Sequence, residues 1–248
     1  MYLVNMRPEQ IHDCVQRNVP VLMAAGVVEF HGPHLPVGTD YLIATAICEA
    51  VEQRCECILA PSFPFGPTMS WAGGPEDGEV DFEPEMFFLY ARTVLRHMLQ
   101  IGFRRIYILQ HHQGAEGLQS LCLQRAAREL MWEIGRSWGA GWGRGPWQEL
   151  PDPNIFGCIR IAGIDAFSQY PSAERVPVGH GGKGETQLIM GAYPETVRME
   201  ALNEMKWTKN QPDWLDDAWE GNPDEGRRWL EFCIAGWAKE LSHANHLG

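Results

Sequence analysis

An excess of basic charge is missing from this chain: 20 Lys and Arg stand against 32 Asp and Glu, a formal net charge of −12. A nucleic-acid or anionic-membrane binder presents a basic face, so neither partner is expected. Long apolar runs are missing too. No window of about 18 uncharged apolar residues occurs, so no membrane span is expected. The N-terminal stretch MYLVNMRPEQIHDCVQRN lacks a basic region followed by an apolar one, and no signal peptide is visible. The cysteines do not pair up. There are seven, scattered at 14, 48, 55, 57, 122, 158 and 233, a pattern that fits reduced thiols in a cytoplasm better than a disulfide framework. Cys55-Glu56-Cys57 is too short and isolated for a zinc site. Internal repeats and low-complexity segments are also absent.

What remains is a chain of 248 residues, 45% hydrophobic, able to bury a sizeable core. Its apolar stretches alternate in kind. PEQIHDCVQR (8–17) reads as a short helix, and VPVLMAAGVV (19–28) as a strand buried on both faces, as in a parallel sheet. Thr39 and Asp40 open a helix that runs to about 55. A strand over 57–63 and a Gly- and Pro-punctuated loop follow. A helix over 83–102 closes at Gly102. The strand 103–110 ends at His111-His112, and another helix covers roughly 116–134. The Trp- and Gly-rich piece 134–153 reads as loop or lid, GCIRIAG as a strand, and 179–197 as a turn entering a short helix. RRWLEFCIAGWAKELSHA reads as the C-terminal helix. Strands alternating with helices predict one α/β domain over 1–248 with a mostly parallel sheet. Arg104-Arg105 and Arg227-Arg228 read as solvated faces.

Functional groups of open α/β sheets gather beyond the carboxyl ends of the strands. Three polar clusters fall at such ends or in nearby loops: Glu29 with His31, His111 with His112, and His180 with Glu185. Two residues apart in extended chain, Glu29 and His31 project to one side. Carboxylate with imidazole suits Zn, Mn or Fe rather than the all-oxygen shell of Mg or Ca. Ordinary alternatives exist for each. Asp40 precedes a helix and can be its cap, a lone His112 can be a hydrogen-bonded structural residue, and Glu185 can simply favour a helix N-terminus.

EFHGPHLPVGTD closely resembles the E-x-HGPHLP-x-x-TD signature of the creatininase family. IYILQHHQGAE stands where that family has a strand followed by N-G-H-G-G-N or N-G-H-x-E-N, and GHGGKGETQ is similar to H-A-G-x-x-E-T-S. The motifs keep the family's order and span about 29 to 187. The resemblance implies a three-layer α/β/α sandwich with a mostly parallel sheet, creatininase-like. It further implies two divalent ions per chain, Zn or Mn with Fe also compatible, and a homo-oligomer with a hexamer favoured. By motif position Glu29, His31, Asp40 and His112 would be metal ligands, Asp40 bridging. Creatininase has a Glu two residues after its motif histidine where this chain has Gly114, so Glu185 becomes the remaining carboxylate ligand, with Glu116 the weaker candidate. Gln110-His111 replaces Asn-Gly, and Gly179 precedes His180 where creatininase has a Glu. Creatinine is therefore not the expected substrate.

His180 is the candidate general acid/base. His34 is expected to hold a ligand in place, His111 to face the substrate or serve structure, and Trp142 to belong to a substrate-covering lid made from 137–148. The implied reaction opens a small polar cyclic substrate by attack of metal-bound hydroxide on a ring carbonyl, foremost a cyclic amide C–N bond. The alternative is C–C hydrolysis of a cyclic keto-sugar such as 3-dehydro-scyllo-inosose. A second alternative is a non-catalytic scaffold that keeps the fold and a metal.

Overall fold

Four parallel strands set the frame in the computed structural model, which describes residues 1–146, 151–170, 175–177 and 179–243. They are β1 (Val21–Ala25), β2 (Ile58–Leu59), β3 (Ile106–Gln110) and β4 (Ile159–Gly163), in the spatial order β2-β1-β3-β4. The helices are α1 (Pro8–Gln16), α2 (Thr39–Glu52), α3 (Pro84–Ile101), α4 (Leu118–Ser137), α5 (Lys183–Ala192), α6 (Met205–Asn210) and α7 (Pro223–Ser242).

Every residue of β1 and β3 is buried, and the two-residue period sends alternate side chains to opposite faces. Val21, Met23 and Ala25 of β1 join Ile106 and Ile108 of β3 against Phe87 and Leu95 of α3 and Leu123 and Ala127 of α4. Leu22, Ala24, Tyr107 and Leu109 point the other way, onto Ile43 and Ile47 of α2, Leu188 of α5 and Cys233 and Trp237 of α7. Two apolar cores on the two faces of one sheet make the three-layer α/β/α sandwich that the family resemblance implied, with strands buried on both faces as their near-continuous apolar runs predict. Helix ends follow local chemistry. α3 starts at Pro84, whose fixed φ suits a first turn, and stops at Gly102 with φ 116°. Asn222 caps α7 by accepting from the Asp224 and Glu225 amides.

Several expected boundaries move. The strand expected over 19–28 is in the sheet only from Val21 to Ala25; the Gly26 amide makes the last bridge, to the Phe63 carbonyl, and the Glu29 amide then turns to that of Val37. Between 57 and 63 only Ile58 and Leu59 form a strand, with an isolated bridge from Ala25 to Phe63. α4 continues to Ser137, past the expected 134. The stretch 198–222 carried no sequence assignment; it holds α6, several 3₁₀ turns and a small core of Leu202, Leu215 and Ala218. Arg105 is no solvated face. It is buried and donates to the Leu241 and His243 carbonyls, tying β3 to the end of α7.

The strand order places a topological switch point between β1 and β3. From β1 the chain crosses to β2 on one side, and from β3 to β4 on the other. Such a split opens a crevice at the carboxyl ends of the two strands. Here the N-terminus of α2 closes tightly onto it. A Cβ on Gly26 would lie 2.5 Å from the Tyr41 amide nitrogen, so only glycine lets Asp40 sit against the end of β1.

Candidate metal centre

Beyond β1, Glu29 and His31 descend into the crevice, and α2 brings Asp40 from its first turn. His111 and His112 come off the end of β3, the turn before α5 supplies His180, and the first turn of α5 supplies Glu185. Glu29, His31, Asp40, His112 and Glu185 are all buried. Sequence reasoning thus names five side chains that the fold brings to one place from four separate segments.

Asp40 lies between two groups. Its Oδ2 is 2.9 Å from His112 Nδ1, which is also 3.2 Å from Glu29 Oε2. Its Oδ1 is 3.3 Å from His31 Nε2, which is 3.5 Å from Glu185 Oε2. One carboxylate therefore faces two trios, Glu29–Asp40–His112 and His31–Asp40–Glu185, each compact enough to hold one cation. The capping alternative for Asp40 does not apply: Gly38 is the N-cap and no side chain caps α2. For Glu185 both readings have a share, because Oε2 also accepts from the Gly181 amide at the entrance to α5.

Backbone carbonyls orient the rings. His31 Nδ1 donates to the Glu29 carbonyl at 3.0 Å, which turns Nε2 toward Asp40. His112 Nε2 donates to the Pro67 carbonyl at 3.2 Å, which turns Nδ1 toward Asp40 and Glu29. Fixing the outer nitrogen in this way is how proteins present imidazoles to metals. The donor set passes a further test. Both carboxylate oxygens of Glu29, Nε2 of His31 and Nε2 of His111 are buried without a hydrogen-bond partner. Orphaned buried polar atoms are costly, and divalent cations coordinated by them would remove that cost.

Electrostatics describe the same feature. Burial opposes a charge on His31, yet Asp40 and Glu185 push it up to about 10. Burial likewise opposes charge on His112, yet hydrogen bonds to Asp40 and Glu29 push it up to about 9. Burial works against an ionised Asp40, but His31 and His112 hold its carboxyl far below the usual range. The crevice is thus built for positive charge, supplied by protons when no cation is bound.

His180 is lodged among rings: His31 at 4.2 Å between centroids, Trp71 at 4.7 Å and Trp214 at 4.8 Å. Its Nε2 donates to the Phe30 carbonyl at 2.7 Å, and Nδ1 lies 3.9 Å from Glu29 Oε2. Burial first, and the neighbouring His31 second, push its pKa down. His34 does not touch a candidate ligand by hydrogen bond. Its Nε2 donates to Thr186 Oγ1, whose hydroxyl donates to the Gly181 carbonyl, so it pins the turn that carries Glu185. Burial brings its pKa down to about 4. His111 is near both trios, as developed below.

A cavity of about 490 Å³ opens over the cluster, lined by Asp40, Trp71, His111, Asp165, His180 and Glu185 among others. Trp142 is not in its wall. It packs against Trp138 and Phe156 and lines a separate cavity with Trp132 and Arg128. The chain continues α4 as far as Ser137 and carries Trp142 away on the α4 side of the sheet; among the described residues Trp71 lines the cavity, and Trp214 packs against His180 and Trp71. Trp147 lies outside the described residues. Gln110 is in the cavity wall, with its side-chain amide committed to the His112 carbonyl. Glu116 is exposed on a 3₁₀ turn. Trp214 and Asp165 went unread because neither belongs to a motif; only their position in the folded chain reveals them.

The creatininase family profile, described as creatinine amidohydrolase, matches residues 4–241. Creatinine amidohydrolase of Pseudomonas putida is 22% identical over 92% of this chain and 89% of its own length. 3-Dehydro-scyllo-inosose hydrolase of Thermotoga maritima is 26% identical over 52% of this chain and 40% of its own. A manganese creatininase structure superposes with a TM-score of 0.74 at 18% identity, covering 97% of this chain and 96% of that one. A variant creatininase of the Zn–Zn type gives 0.71 at 20% identity over the same shares. With the family profile spanning nearly every residue, the chain belongs to the creatininase family of hydrolases.

Proposed function

We propose that this chain is a hydrolase using two divalent ions, Zn or Mn, to open a small polar ring by adding water to a ring carbonyl, with a cyclic amide as the leading substrate class. The observation that carries the reading is Asp40, whose two oxygens each face a separate buried donor trio, one holding both orphaned oxygens of Glu29 and the other the orphaned Nε2 of His31. Such ions, when bound, polarise a carbonyl and lower the pKa of a coordinated water. Glu29, Asp40 and His112 would hold one, and His31, Asp40 and Glu185 the other.

The remaining work falls to the chain's own groups. His180, with Nε2–H committed to Phe30 and its pKa pushed down by burial, is neutral near pH 7 and offers the Nδ1 lone pair beside the cluster. It takes a proton from the attacking water and returns one to the leaving atom. Oxygen adds to the carbonyl carbon, the C–N bond breaks with its electron pair on nitrogen, and nitrogen takes the proton. Trp71 and Trp214 beside His180 restrict bulk water. In the cavity wall, Asp165 supplies a carboxylate that can accept hydrogen bonds from ring substituents.

The C–C reading is supported by the likeness to the inosose hydrolase and by His111 standing where the family motif has Gly. There the carbon electron pair is taken up as an enolate before protonation. The assay pairs a lactam panel with inososes and reads product mass. Lactam opening alone supports the first reading and keto-sugar cleavage alone the second; a chain that binds two ions yet turns over neither is a scaffold. His180→Asn should keep both ions and lose turnover about 10²-fold or more. Undiminished turnover would remove His180 from the reaction.

A further inference from the structure

We infer that His111 is itself a metal ligand, completing the shell of His31, Asp40 and Glu185, and this inference rests on the two-ion reading above. His111 Nε2 is buried without a hydrogen-bond partner. It lies 3.3 Å from Glu185 Oε1 and 3.9 Å from Asp40 Oδ1. Its backbone is anchored, the amide donating to the Ala25 carbonyl, so the ring leaves the sheet at the switch point itself.

With Glu185 presenting Oε2 to His31 and Oε1 to His111, the separations are those of donors around one ion. Donors bound at about 2.0–2.2 Å around a tetrahedral zinc sit roughly 3.4 Å from one another. Around this trio the values are 3.3 Å for His31–Asp40, 3.5 Å for His31–Glu185 and 3.3 Å for His111–Glu185. His111 to Asp40, at 3.9 Å, is the widest and still within the span of a shared ion. A hydrogen-bonding role toward Glu185 would leave the same nitrogen only a single loose partner inside a buried cluster of anions.

Gly114 gives this residue its purpose. Creatininase carries a carboxylate at that motif position. Here the position is glycine, and a Cβ built on it would meet nothing within 4 Å. One ligand has been removed from the segment after β3, and the imidazole three residues earlier enters the same crevice from the strand end. The consequence is a nitrogen-rich site beside an oxygen-rich one. His31 and His111 serve one ion, while His112 alone, with Glu29, serves the other. Imidazole favours zinc over manganese, and carboxylate suits manganese, so the two sites should differ in the ion they prefer.

The experiment uses the full chain stripped of metal and reloaded with cobalt(II), read by metal content, by competition against a chelator and by hyperfine-shifted imidazole resonances. The unsubstituted protein should bind two ions. His111→Ala should keep the ion held by Glu29 and His112, weaken the other by more than about 100-fold, beyond the 10–100-fold scale of outer-shell partners, and lose one imidazole's signals. His111→Gln, which keeps a polar side chain but no imidazole, is made alongside so that a folding defect in one variant does not decide the matter. Loss of one imidazole set in either folded variant supports the assignment. An unchanged set with two ions retained overturns it. A parent protein that never takes up a second ion fails the two-ion reading instead, which is a separate result.

Discussion

Asp40 concentrates the site's geometry in one side chain. Both its oxygens are committed to imidazoles from different segments, so Asp40→Asn should cost both ions, measured as metal per chain after dialysis. Glu185→Gln should cost one ion, and Glu116→Gln none, since Glu116 is exposed outside the cluster. Full occupancy in Asp40→Asn would end the bridging assignment. The same histidines set a pH dependence. His31 and His112 have folded pKa values raised to about 10 and about 9, above the ordinary imidazole value near 6.5. In the metal-free chain their contribution to stability is fully present below about pH 6.5 and is lost as pH rises through 9 and 10. Metal uptake near neutrality must displace those protons. Thermal melting of the stripped chain should therefore fall between pH 7 and 10, and metal addition at pH 7.5 should acidify a weakly buffered solution. No proton release on binding two ions would contradict the assigned states. At this scale the sequence was legible where residues share a motif: Glu29, His31, Asp40 and His112 could be named from it. His111 could not be assigned a direction, because order along a chain does not say which way a ring points. Trp214 sits on a 3₁₀ turn with no period to mark it.

Elements were legible where burial imposes a period. α2, α3 and α7 carry an apolar face every three to four residues, and β1 and β3 are apolar on both faces; all five appear close to where that pattern puts them. The short β2 is different, because its extent depends on how many partner groups β1 leaves available. The junction of β1 with α2 matters most for the site. Gly26 permits a contact that a methyl group would forbid, 2.5 Å from a backbone nitrogen that cannot swing away. Its carbonyl also accepts from Gln119 Nε2 at 2.7 Å, locking the first turn of α4 to the same point. Gly26→Ala should therefore destabilise the fold by about 1–3 kcal/mol, the scale of overpacking. It should also weaken metal binding by displacing Asp40, although it changes no ligand. Chemical denaturation read beside metal affinity checks this. Lost stability with unchanged affinity would mean that α2 yields without moving its first turn.

At the scale of the whole molecule, the unexplained feature is apolar surface. α3 leaves Met86, Leu89 and Tyr90 exposed at 59%, 42% and 48%, spaced to form one stripe on its outer side. Leu121 and Trp132 on α4, which packs beside α3, are exposed at 49% and 61%. Scattered apolar residues need no explanation, but a stripe on one helix with neighbours on the next is the composition of an interface core. We propose that this face joins copies of the chain into a homo-oligomer, a hexamer being the assembly that the family resemblance favours. Sedimentation or light scattering should give a mass that is a multiple of 28.0 kDa. Leu89→Asp places a charge in the middle of the stripe and should lower that mass. Because Leu89 lies on the outer side of α3 and outside both cores, the variant should keep its metal content, which separates loss of assembly from loss of fold. A single-chain mass for the unaltered protein across micromolar concentrations would leave the stripe without this role.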